Sequence, residues 1–302
     1  MGKEGVPSQE RLPIFYKGLF MSYEKSIYTL LPDVHNVITN GKDKVNPKNL
    51  QKFVDTLKEE ALRFLDPEER TRSSKLRMSN IGREDRKLWY EMHSDPVKHP
   101  PELLLKFFYG NIVEALLLFL VAESGHTVED EQKEVKLQGI TGHIDAKIDG
   151  CIIDVKSASN KGFKKFKQGT LFEEDAFGYI GQISGYMEAE DCDEGGFLAY
   201  DKSTGEIALL MVDELTKIDA SARIDHLKKV IDLDDVPEKC YDPVPMGTSG
   251  NYIIDFPCRY CDFKTRCWQD ANDGRGLRKF KYANGIKYFT KVVAEPKVEE
   301  LF

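Results

Sequence analysis

Two aspartates and a lysine in the middle of the chain have the types and the spacing best suited to chemistry. Asp149 and Gly150 are a typical pair for a two-residue β-turn, and the segments on both sides largely alternate between apolar and polar residues. A hairpin folded about this turn places Asp145 directly opposite Asp154, with Lys156 on the same face. Like charges opposite each other are destabilising, and a divalent cation between the carboxylates would turn that repulsion into attraction. The pattern therefore predicts a metal site on this face.

The same pairing divides the hairpin into two faces. Its predicted apolar face consists of Ile144, Ala146, Ile148, Cys151, Ile153 and Val155. Its predicted polar face adds Lys147 and places His143 opposite Lys156, with Ile152 as the apolar exception. The backbone carbonyl of Val155 is a further oxygen ligand in this interpretation. The alternative is an ordinary hairpin whose polar face meets only water.

A glutamate in an apolar segment upstream is a third candidate carboxylate. Leu103 to Glu123 is predicted to be helical, and it contains Gly110 followed four residues later by Glu114. Burying an unpaired carboxylate among apolar side chains is expensive, and a metal ion would satisfy it. The alternative places Glu114 on the exposed edge of an amphipathic helix. The apolar run from Ala115 to Ala122 is shorter than the roughly 20 residues that a bilayer requires, so no membrane contact is predicted.

Downstream, a predicted helix from Glu174 to Glu190 carries an amide and a phenol on one face. Gln182 and Tyr186 are four residues apart and therefore share that face, which Tyr179 joins three residues earlier. Neutral hydrogen-bonding groups of this kind suit contacts with a nucleic-acid backbone. The alternative is that the tyrosines are core residues on a helix made narrow by glycines.

Together, these elements resemble the PD-(D/E)xK nuclease superfamily. Gly142-His143-Ile144-Asp145 matches its GxxD element, and Asp154-Val155-Lys156 matches its (D/E)xK element. Gly110 with Glu114 resembles the first family motif, although many CRISPR-associated members carry histidine at the second position. Gln182 to Tyr186 resembles the QxxxY element of the RecB-like branch, which includes CRISPR-associated and phage-type exonucleases. The resemblance implies an α/β, restriction-endonuclease-like core with a mixed central sheet flanked by helices.

The resemblance also implies a Mg²⁺- or Mn²⁺-dependent DNA exonuclease that hydrolyses phosphodiester bonds. The metal ligands that it implies are Glu114, Asp145, Asp154 and the carbonyl of Val155. Lys156 would orient the attacking water or stabilise developing charge, and Gln182 and Tyr186 would lie against the DNA backbone. A structure-specific endonuclease and a non-catalytic DNA-end-binding adaptor are the alternatives. Recombination or replication proteins are the expected protein partners.

Three of the six cysteines lie close together near the C-terminus. Cys258, Cys261 and Cys267 have the spacing C-x2-C-x5-C, and Cys240 lies shortly before them. Without a recognisable signal peptide the expected compartment is a reducing cytoplasm, where clustered cysteines are more often metal ligands than disulfides. Four thiolates suit either a 4Fe-4S cluster or structural Zn²⁺, and unligated structural cysteines are a third interpretation.

RecB-like nucleases that hold a 4Fe-4S cluster carry the same three-cysteine spacing, so the resemblance favours iron-sulfur over zinc. Their fourth ligand lies upstream of the nuclease core. In this chain the corresponding segment, Gly82 to Tyr90, contains no cysteine, and Cys240 is therefore the expected fourth ligand. The same segment carries basic and aromatic residues that could contact DNA or dock the N-terminal region onto the core.

The net charge of −8 is not typical of a nucleic-acid binder, so local basic clusters matter more than the total. Lys161 to Lys167 interleaves cations with Phe163 and Phe166, a composition typical of a loop that follows a DNA backbone and stacks bases. The candidate DNA-binding cations in it are Lys161, Lys164 and Lys165. A second basic cluster, from Arg275 to Tyr288, is as readily interpreted as a solvated face.

The motifs divide the chain into three regions. Residues 1–100 are predicted to be a helical N-terminal region, and residues 101–235 to be the nuclease core. Residues 236–302 hold the cysteines and the basic C-terminal segment. A chain of 302 residues can bury one sizeable core and an accessory region, so we expect the three regions to form one integrated globular unit.

Overall fold

The computed structural model describes residues 25–66, 75–95 and 99–302. The helices of eight or more residues in these ranges are α1 (Leu30–Asn40), α2 (Pro47–Leu65), α3 (Asp85–Met92), α4 (Pro101–Glu123), α5 (Asn160–Gln168), α6 (Tyr179–Ala189) and α7 (Ala220–Ile231). Three four-residue helices follow, α8 (Phe256–Arg259), α9 (Lys264–Cys267) and α10 (Ala271–Gly274). Short 3₁₀ helices lie at Ile27–Thr29, Met78–Asn80 and Thr170–Phe172.

The central sheet is mixed and has five strands. The strands before residue 213 are β1 (Val128–Glu129), β2 (Glu134–Leu137), β3 (Ile140–His143), β4 (Ala146–Ile148), β5 (Cys151–Ala158), β6 (Gly195–Asp201) and β7 (Ile207–Val212). The order in the sheet is β1-β4-β5-β6-β7, and β5 and β6 are its parallel pair. The strands β2 and β3 form a separate two-stranded ribbon.

A second, antiparallel sheet lies near the C-terminus. Its strands are β8 (Val244–Pro245), β9 (Tyr252–Ile253), β10 (Arg278–Tyr282), β11 (Gly285–Lys291) and β12 (Glu300–Leu301), in the order β12-β10-β11-β9-β8. Ile253, Phe280 and Phe289 form its small core. Within the predicted basic cluster, Arg278 is paired with Glu295 and Glu300, so part of that charge is neutralised locally.

Helices cover both faces of the central sheet. The core on one face joins the sheet to α5, α6 and α7, and the core on the other face joins it to α1 and α4. Because side chains alternate along a strand, β5 contributes Ile152 to the first core and Ile153 and Val155 to the second. The arrangement confirms the predicted α/β class with a mixed central sheet flanked by helices.

Described residues of the predicted N-terminal region, 1–100, contribute to both cores, and its residues 1–24, 67–74 and 96–98 lie outside the described ranges. Met78, Ile81 and Leu88 are fully buried on the α6 side of the sheet, and Leu30 is fully buried on the α4 side. The helix α2 packs along α4, with stacked rings at Phe53 and Phe119 and at Phe64 and Phe108. These stacks indicate that α2 and α4 run antiparallel.

The helix α4 is longer than its most apolar stretch suggests. Its 23 residues make it the one described helix that is long and apolar enough to cross a membrane, so the argument that the apolar run is too short is wrong. Four of its apolar side chains are nevertheless buried in the core of this chain: Val113, Leu117, Leu118 and Val121. Other apolar side chains of this helix, among them Leu105 and Leu116, are exposed.

Candidate active site

The candidate residues meet where the strands β4 and β5 separate. The predicted register is confirmed from Ile148 opposite Cys151 as far as Ala146 opposite Ile153. The backbone then bends at Asp145, whose carboxylate Oδ2 accepts a hydrogen bond from the backbone N–H of Val155 at 2.7 Å. The side chain of Asp145 therefore bridges to β5 beyond the end of the regular ladder.

The bend makes two details of the predicted hairpin wrong. His143 lies on β3 and pairs with Glu134 of β2, so it does not face Lys156. Ile144 is buried in the core on the α6 side, whereas Ala146 is buried on the α4 side. Strict alternation would have placed both isoleucine and alanine on one face, and the bend interrupts that alternation.

Asp154 is the most deeply buried of the candidate acids, with 1% of its surface exposed. Neither of its carboxylate oxygens has a hydrogen-bond partner of regular geometry among the described residues. The ammonium of Lys156 lies 2.5 Å from Oδ2 and forms an ion pair with it. Asp154 therefore has its charge compensated but keeps acceptor positions that a cation could occupy.

The third acid reaches the site from α4. Glu114 is half-buried, and its Oε1 accepts a hydrogen bond of 2.7 Å from the side-chain amide of Gln132. One turn earlier, Asn111 donates a 2.6 Å hydrogen bond to Glu60 of α2. No local sequence signal predicts the contacts of Gln132 and Glu60, because both contacts join segments that are distant along the chain.

Burial and mutual repulsion disfavour the charged forms of these acids. Burial raises the pKa of Glu114 to about 7, although the hydrogen bond from Gln132 acts to lower it. Burial, and then the charges of Asp154 and Glu114, hold the pKa of Asp145 well above its usual range. Burial also raises the pKa of Asp154. A cation at this position would reverse the preference for protonated carboxyls.

Within the described ranges, no three or more His, Cys, Asp or Glu side chains are arranged to hold a metal ion. The donor chemistry nevertheless fits Mg²⁺ or Mn²⁺, which prefer hard carboxylate and carbonyl oxygens. The hydrogen bonds of Glu114 and Asp145 each use one carboxylate oxygen and leave the second. Asp154 adds acceptor positions with no hydrogen bond.

The predicted polar face of α6 lies against Lys156. The side-chain oxygen of Gln182 accepts a 3.3 Å hydrogen bond from the Lys156 ammonium, and its amide donates to the hydroxyl of Tyr186 at 3.3 Å. Tyr186 is 2% exposed, so the core alternative describes this tyrosine. The pair therefore limits the position of the Lys156 ammonium.

Glycines allow the close contacts around α6. A Cβ atom on Gly142 would lie 2.7 Å from the Tyr186 ring and 2.5 Å from the Cβ of Met78. A Cβ atom on Gly82 would lie 2.2 Å from the carbonyl oxygen of Gly178, at the start of α6. The glycine of the GxxD element is thus required by packing, because any side chain there would displace the tyrosine.

The lysines after β5 lie on a helix and not in the predicted loop. The side chain of Ser159 caps α5 by accepting a hydrogen bond from the backbone N–H of Gly162. Phe163 and Phe166 are buried in the core, so the prediction that they stack bases is wrong. Their spacing of three residues places both on the buried side of the helix.

The three lysines have different surroundings. The ammonium of Lys161 lies 4.5 Å from the centroid of the Phe256 ring. Lys164 is exposed. Lys165 is mostly covered, and its ammonium donates a 2.8 Å hydrogen bond to the carbonyl oxygen of Glu174. Lys165 therefore holds the segment before α6 and is not a free cation.

The four cysteines predicted to act together, Cys240, Cys258, Cys261 and Cys267, line one pocket. All are free thiols. Burial and then the neighbouring thiol groups raise the pKa of Cys258 to about 12, and burial likewise raises that of Cys240 to about 11. Cys240 therefore lines the same pocket as the other three cysteines, and their joint binding of a metal stays a prediction.

Basic side chains surround this pocket. Its wall includes Arg83, Arg86, Lys87, Lys239 and Lys264. Arg86 donates hydrogen bonds to the backbone carbonyls of Pro237 and Cys267, and the indole of Trp89 donates to that of Leu233. These contacts indicate that the segment from Gly82 to Tyr90 docks onto later parts of the chain, which was the alternative to a contact with DNA.

No family model and no curated protein matches the chain. Among solved structures, the crystal structure of SSO0001 is similar at 18% identity, over 73% of this chain and 96% of that one, with a TM-score of 0.38. A phage-related exonuclease from Haemophilus somnus 129PT is 17% identical over 52% of this chain and 90% of its own, with a TM-score of 0.37.

The alkaline exonuclease LHK-Exo from Laribacter hongkongensis, solved in complex with dAMP, is 14% identical. The match covers 52% of this chain and 84% of that one, with a TM-score of 0.35. Two of these three similar structures are thus exonucleases by description. At these TM-scores the likeness does not identify a function, so the assignment below depends on the geometry of the site.

Proposed function

We propose that this protein is a Mg²⁺- or Mn²⁺-dependent DNA exonuclease of the RecB-like PD-(D/E)xK type. One observation carries the proposal. At the junction of β4 and β5, a buried Asp154 with unused acceptor positions lies 2.5 Å from the Lys156 ammonium, and Asp145 hydrogen-bonds to the residue between them. This combination of acids and a fixed cation suits phosphodiester hydrolysis better than it suits a solvated hairpin.

The chain supplies hard oxygen donors for one or two ions. The side chains that would hold them are Glu114, Asp145 and Asp154, with the carbonyl of Val155. When bound, a divalent ion supplies Lewis-acid polarisation of the phosphate and lowers the pKa of a bound water. No organic cofactor is required for this reaction.

Lys156 would stabilise charge during the reaction. Although burial opposes ionisation, the charges of Asp154 and Asp145 hold the pKa of Lys156 above its usual range, so its ammonium keeps its proton. A fixed cation next to the reacting phosphate stabilises negative charge that develops on the phosphate oxygens. The hydrogen bond to Gln182 limits where this ammonium can lie.

The DNA contacts are assigned by position around this site. Gln182 would meet the DNA backbone, and Tyr186 would support Gln182 from within the core. Lys161 and Lys164 are exposed near the end of β5 and would contact phosphates. Lys165 would act indirectly, through its hydrogen bond to the Glu174 carbonyl.

The test uses end-labelled linear DNA and closed circular DNA, single- and double-stranded, with and without Mn²⁺ or Mg²⁺. We expect metal-dependent shortening of linear DNA, spared circles, and loss of about 10³-fold or more of the activity in Lys156→Ala. Lys164→Ala, on an exposed site nearby, is the matched control and should change binding more than turnover. An unchanged rate in Lys156→Ala would contradict the assignment.

Two alternatives have distinct outcomes in the same experiment. Cleavage of closed circles would identify a structure-specific endonuclease, because an exonuclease needs an end. Binding of DNA without cleavage under any metal would identify a DNA-end-binding adaptor. The choice of exonuclease rests on the QxxxY resemblance at Gln182 and Tyr186. The assignment of metal chemistry rests on the oxygen donors of Glu114, Asp145 and Asp154.

We further propose that Cys240, Cys258, Cys261 and Cys267 hold a 4Fe-4S cluster, with structural Zn²⁺ as the alternative. Four thiols line one pocket, and a bound metal would favour their thiolate form, which burial disfavours in the metal-free protein. Iron, sulfide and zinc contents of protein purified without oxygen distinguish the two metals. Cys240→Ser should lower the metal content, whereas Cys192→Ser, outside the pocket, should not.

The proposed setting is the cytoplasm, with DNA that has free ends as substrate and no membrane contact. Recombination or replication proteins are the proposed partners. The burial of four α4 side chains in the core supports a protein that does not use that helix to cross a bilayer: Val113, Leu117, Leu118 and Val121. Fractionation of expressing cells into soluble and membrane fractions tests this part of the proposal.

A further inference from the structure

A row of three aromatic rings leads from the core to the surface beside Lys156. Phe166 is buried, Tyr179 is half-buried and Phe177 is 48% exposed. The ring centroids are 5.9 Å apart between Phe166 and Tyr179 and 5.6 Å apart between Tyr179 and Phe177. The ammonium of Lys156 lies 4.9 Å from the Tyr179 centroid. The exposed end of the row is therefore close to the proposed reaction centre.

The distance from the lysine to the exposed ring has an upper bound. The 4.9 Å from the Lys156 ammonium to Tyr179 and the 5.6 Å from Tyr179 to Phe177 add to 10.5 Å, the farthest that the Phe177 centroid can lie from that nitrogen. Neighbouring nucleotides of one strand are about 3.4 Å apart along a duplex and farther apart along an extended strand. Phe177 thus lies within about three nucleotides of a phosphate held at Lys156.

The backbone that presents Phe177 is fixed. The carboxylate of Asp175 accepts hydrogen bonds from the backbone N–H groups of Phe177, Gly178 and Ile180, at 3.3, 2.9 and 2.8 Å. Gly178 has a φ of 78° and packs against the backbone of Gly82, where a side chain on either glycine would clash. A ring held in this way loses little conformational freedom when a ligand covers it.

We infer that Phe177 is a stacking platform for an unpaired base of the DNA strand whose phosphate reaches Lys156. This inference rests on the proposed nuclease function and adds a strand preference to it. An exposed aromatic face binds a base of any sequence by stacking, but a base inside a duplex has both faces covered by its neighbours. The platform therefore selects single-stranded DNA or frayed ends.

The first test measures binding without cleavage. A single-stranded oligonucleotide with 2-aminopurine at successive positions is titrated with the full-length protein, with no divalent ion added. We expect 2-aminopurine fluorescence to be quenched at one or two positions, and Phe177→Ala to lose that quenching and bind about 5- to 150-fold more weakly. Phe177→Trp should restore both, because tryptophan also stacks.

The matched control is Phe172→Ala. Phe172 is 36% exposed and lies five residues earlier, on the 3₁₀ helix before this loop and outside the row of rings. It should bind and quench as the unaltered protein does. Because Phe177 is half-exposed, Phe177→Ala should keep the circular dichroism spectrum and the melting temperature, which separates loss of stacking from loss of fold.

The second test follows cleavage with added Mn²⁺. Phe177→Ala should raise KM for single-stranded DNA several-fold with little change in kcat, and should change blunt duplex cleavage less. If the unaltered protein cleaves no DNA but Phe177→Ala still abolishes quenching, only the nuclease proposal fails. If the unaltered protein cleaves DNA but Phe177→Ala binds, quenches and cleaves as it does, the stacking inference is wrong.

Discussion

The proposed active site and the cysteine pocket both gather groups that would repel one another when charged, but on different scaffolds. The carboxylates stand on long elements: Asp154 on the eight-residue β5 and Glu114 on the 23-residue α4. Two of the four cysteines, Cys258 and Cys267, stand on four-residue helices. Among the described residues, the core next to them has three buried members, Ile254, Trp268 and Ala271.

The difference indicates how each site is kept in place. The proposed active site is held by the large cores on both faces of the central sheet. These cores fix its shape, but the same burial raises the pKa of its acids and disfavours their charged forms. The cysteine pocket has little apolar burial of its own. We therefore expect metal removal to change charge at the first site and to change structure at the second.

The largest expected effect concerns the active site. Asp145→Asn should reduce metal-dependent cleavage by about 10³-fold or more, because it removes a ligand charge. The same change should stabilise the metal-free protein by about 1 kcal/mol, because it removes repulsion from Asp154 and Glu114. Asp225→Asn, on an exposed part of α7, is the control and should change neither activity nor melting temperature.

If Asp145→Asn lowers the free energy of unfolding of the metal-free protein instead of raising it, the proposed active site is not held in place independently of a metal, and the contrast with the cysteine pocket fails. Activity is read as kcat/KM on linear DNA. Stability is read from denaturant unfolding of the metal-free protein, in which the midpoint and the slope separate a change in stability from a change in the native state.

The next effect concerns the cysteine pocket. Cys258→Ser should abolish metal binding and destabilise residues 236–302 by on the order of 5 kcal/mol, since binding free energy of a structural metal is folding free energy. Limited proteolysis should then cut that region while the central sheet persists. Cys192→Ser should leave metal content and the proteolytic pattern unchanged. A fully protected C-terminal region in Cys258→Ser would show that the pocket does not depend on a ligand.

A smaller effect is expected at the glycine beneath the active site. Gly142→Ala should destabilise the protein by about 1–3 kcal/mol, because its Cβ would overlap Met78 and the Tyr186 ring. Gly162→Ala on α5 is the control, since a Cβ there meets only ordinary contacts at 3.5 Å and beyond. That control should be neutral or slightly stabilising. Equal melting temperatures for the two variants would mean that the Gly142 contact is not tight.

The smallest effect is a dependence of stability on pH. The pKa of Glu114 rises from 4.5 to about 7 on folding, chiefly through burial. The folded state therefore binds this proton more tightly than the unfolded state does. The resulting stabilisation of the folded state is fully present below about pH 4.5 and is lost as the pH rises through about 7. We expect the melting temperature of the metal-free protein to fall across this window.

Glu114→Gln isolates the contribution of that carboxyl. Scanning fluorimetry between about pH 5 and about pH 8 should give a shallower fall in this variant than in the unaltered protein. Identical slopes would assign the pH dependence to other groups. Added Mn²⁺ should flatten the slope of the unaltered protein only, because a cation stabilises the ionised carboxylate.

Local sequence signals predicted the parts of the site that local chemistry determines. Asp149 and Gly150 set the turn, and the turn sets the register as far as Ala146 opposite Ile153. The spacing of Gln182 and Tyr186 placed both on one face of α6, where they are joined by a hydrogen bond. In each case the signal and the structure lie within about ten residues of chain.

The errors arose where distant segments decide the conformation. The bend at Asp145 follows from the pairing of β3 with β2, and alternation along one strand cannot reveal it. Phe163 and Phe166 had the spacing of a helix face and a serine N-cap at Ser159, but their basic neighbours favoured the interpretation as a loop. The contact of Asn111 with Glu60 could be predicted only with the knowledge that α2 packs on α4.

The contact of Gly82 with the start of α6 also constrains the order of folding. Gly82 is made about a hundred residues before Gly178 and Gly181, against which its backbone packs closely. A nascent chain cannot form this contact until α6 has left the ribosome. Until then, apolar residues of the early segment that are buried in the folded protein, such as Ile81, are exposed to solvent. Contacts of such long sequence separation are slow to form, and we expect expression yield to depend on chaperones during that interval.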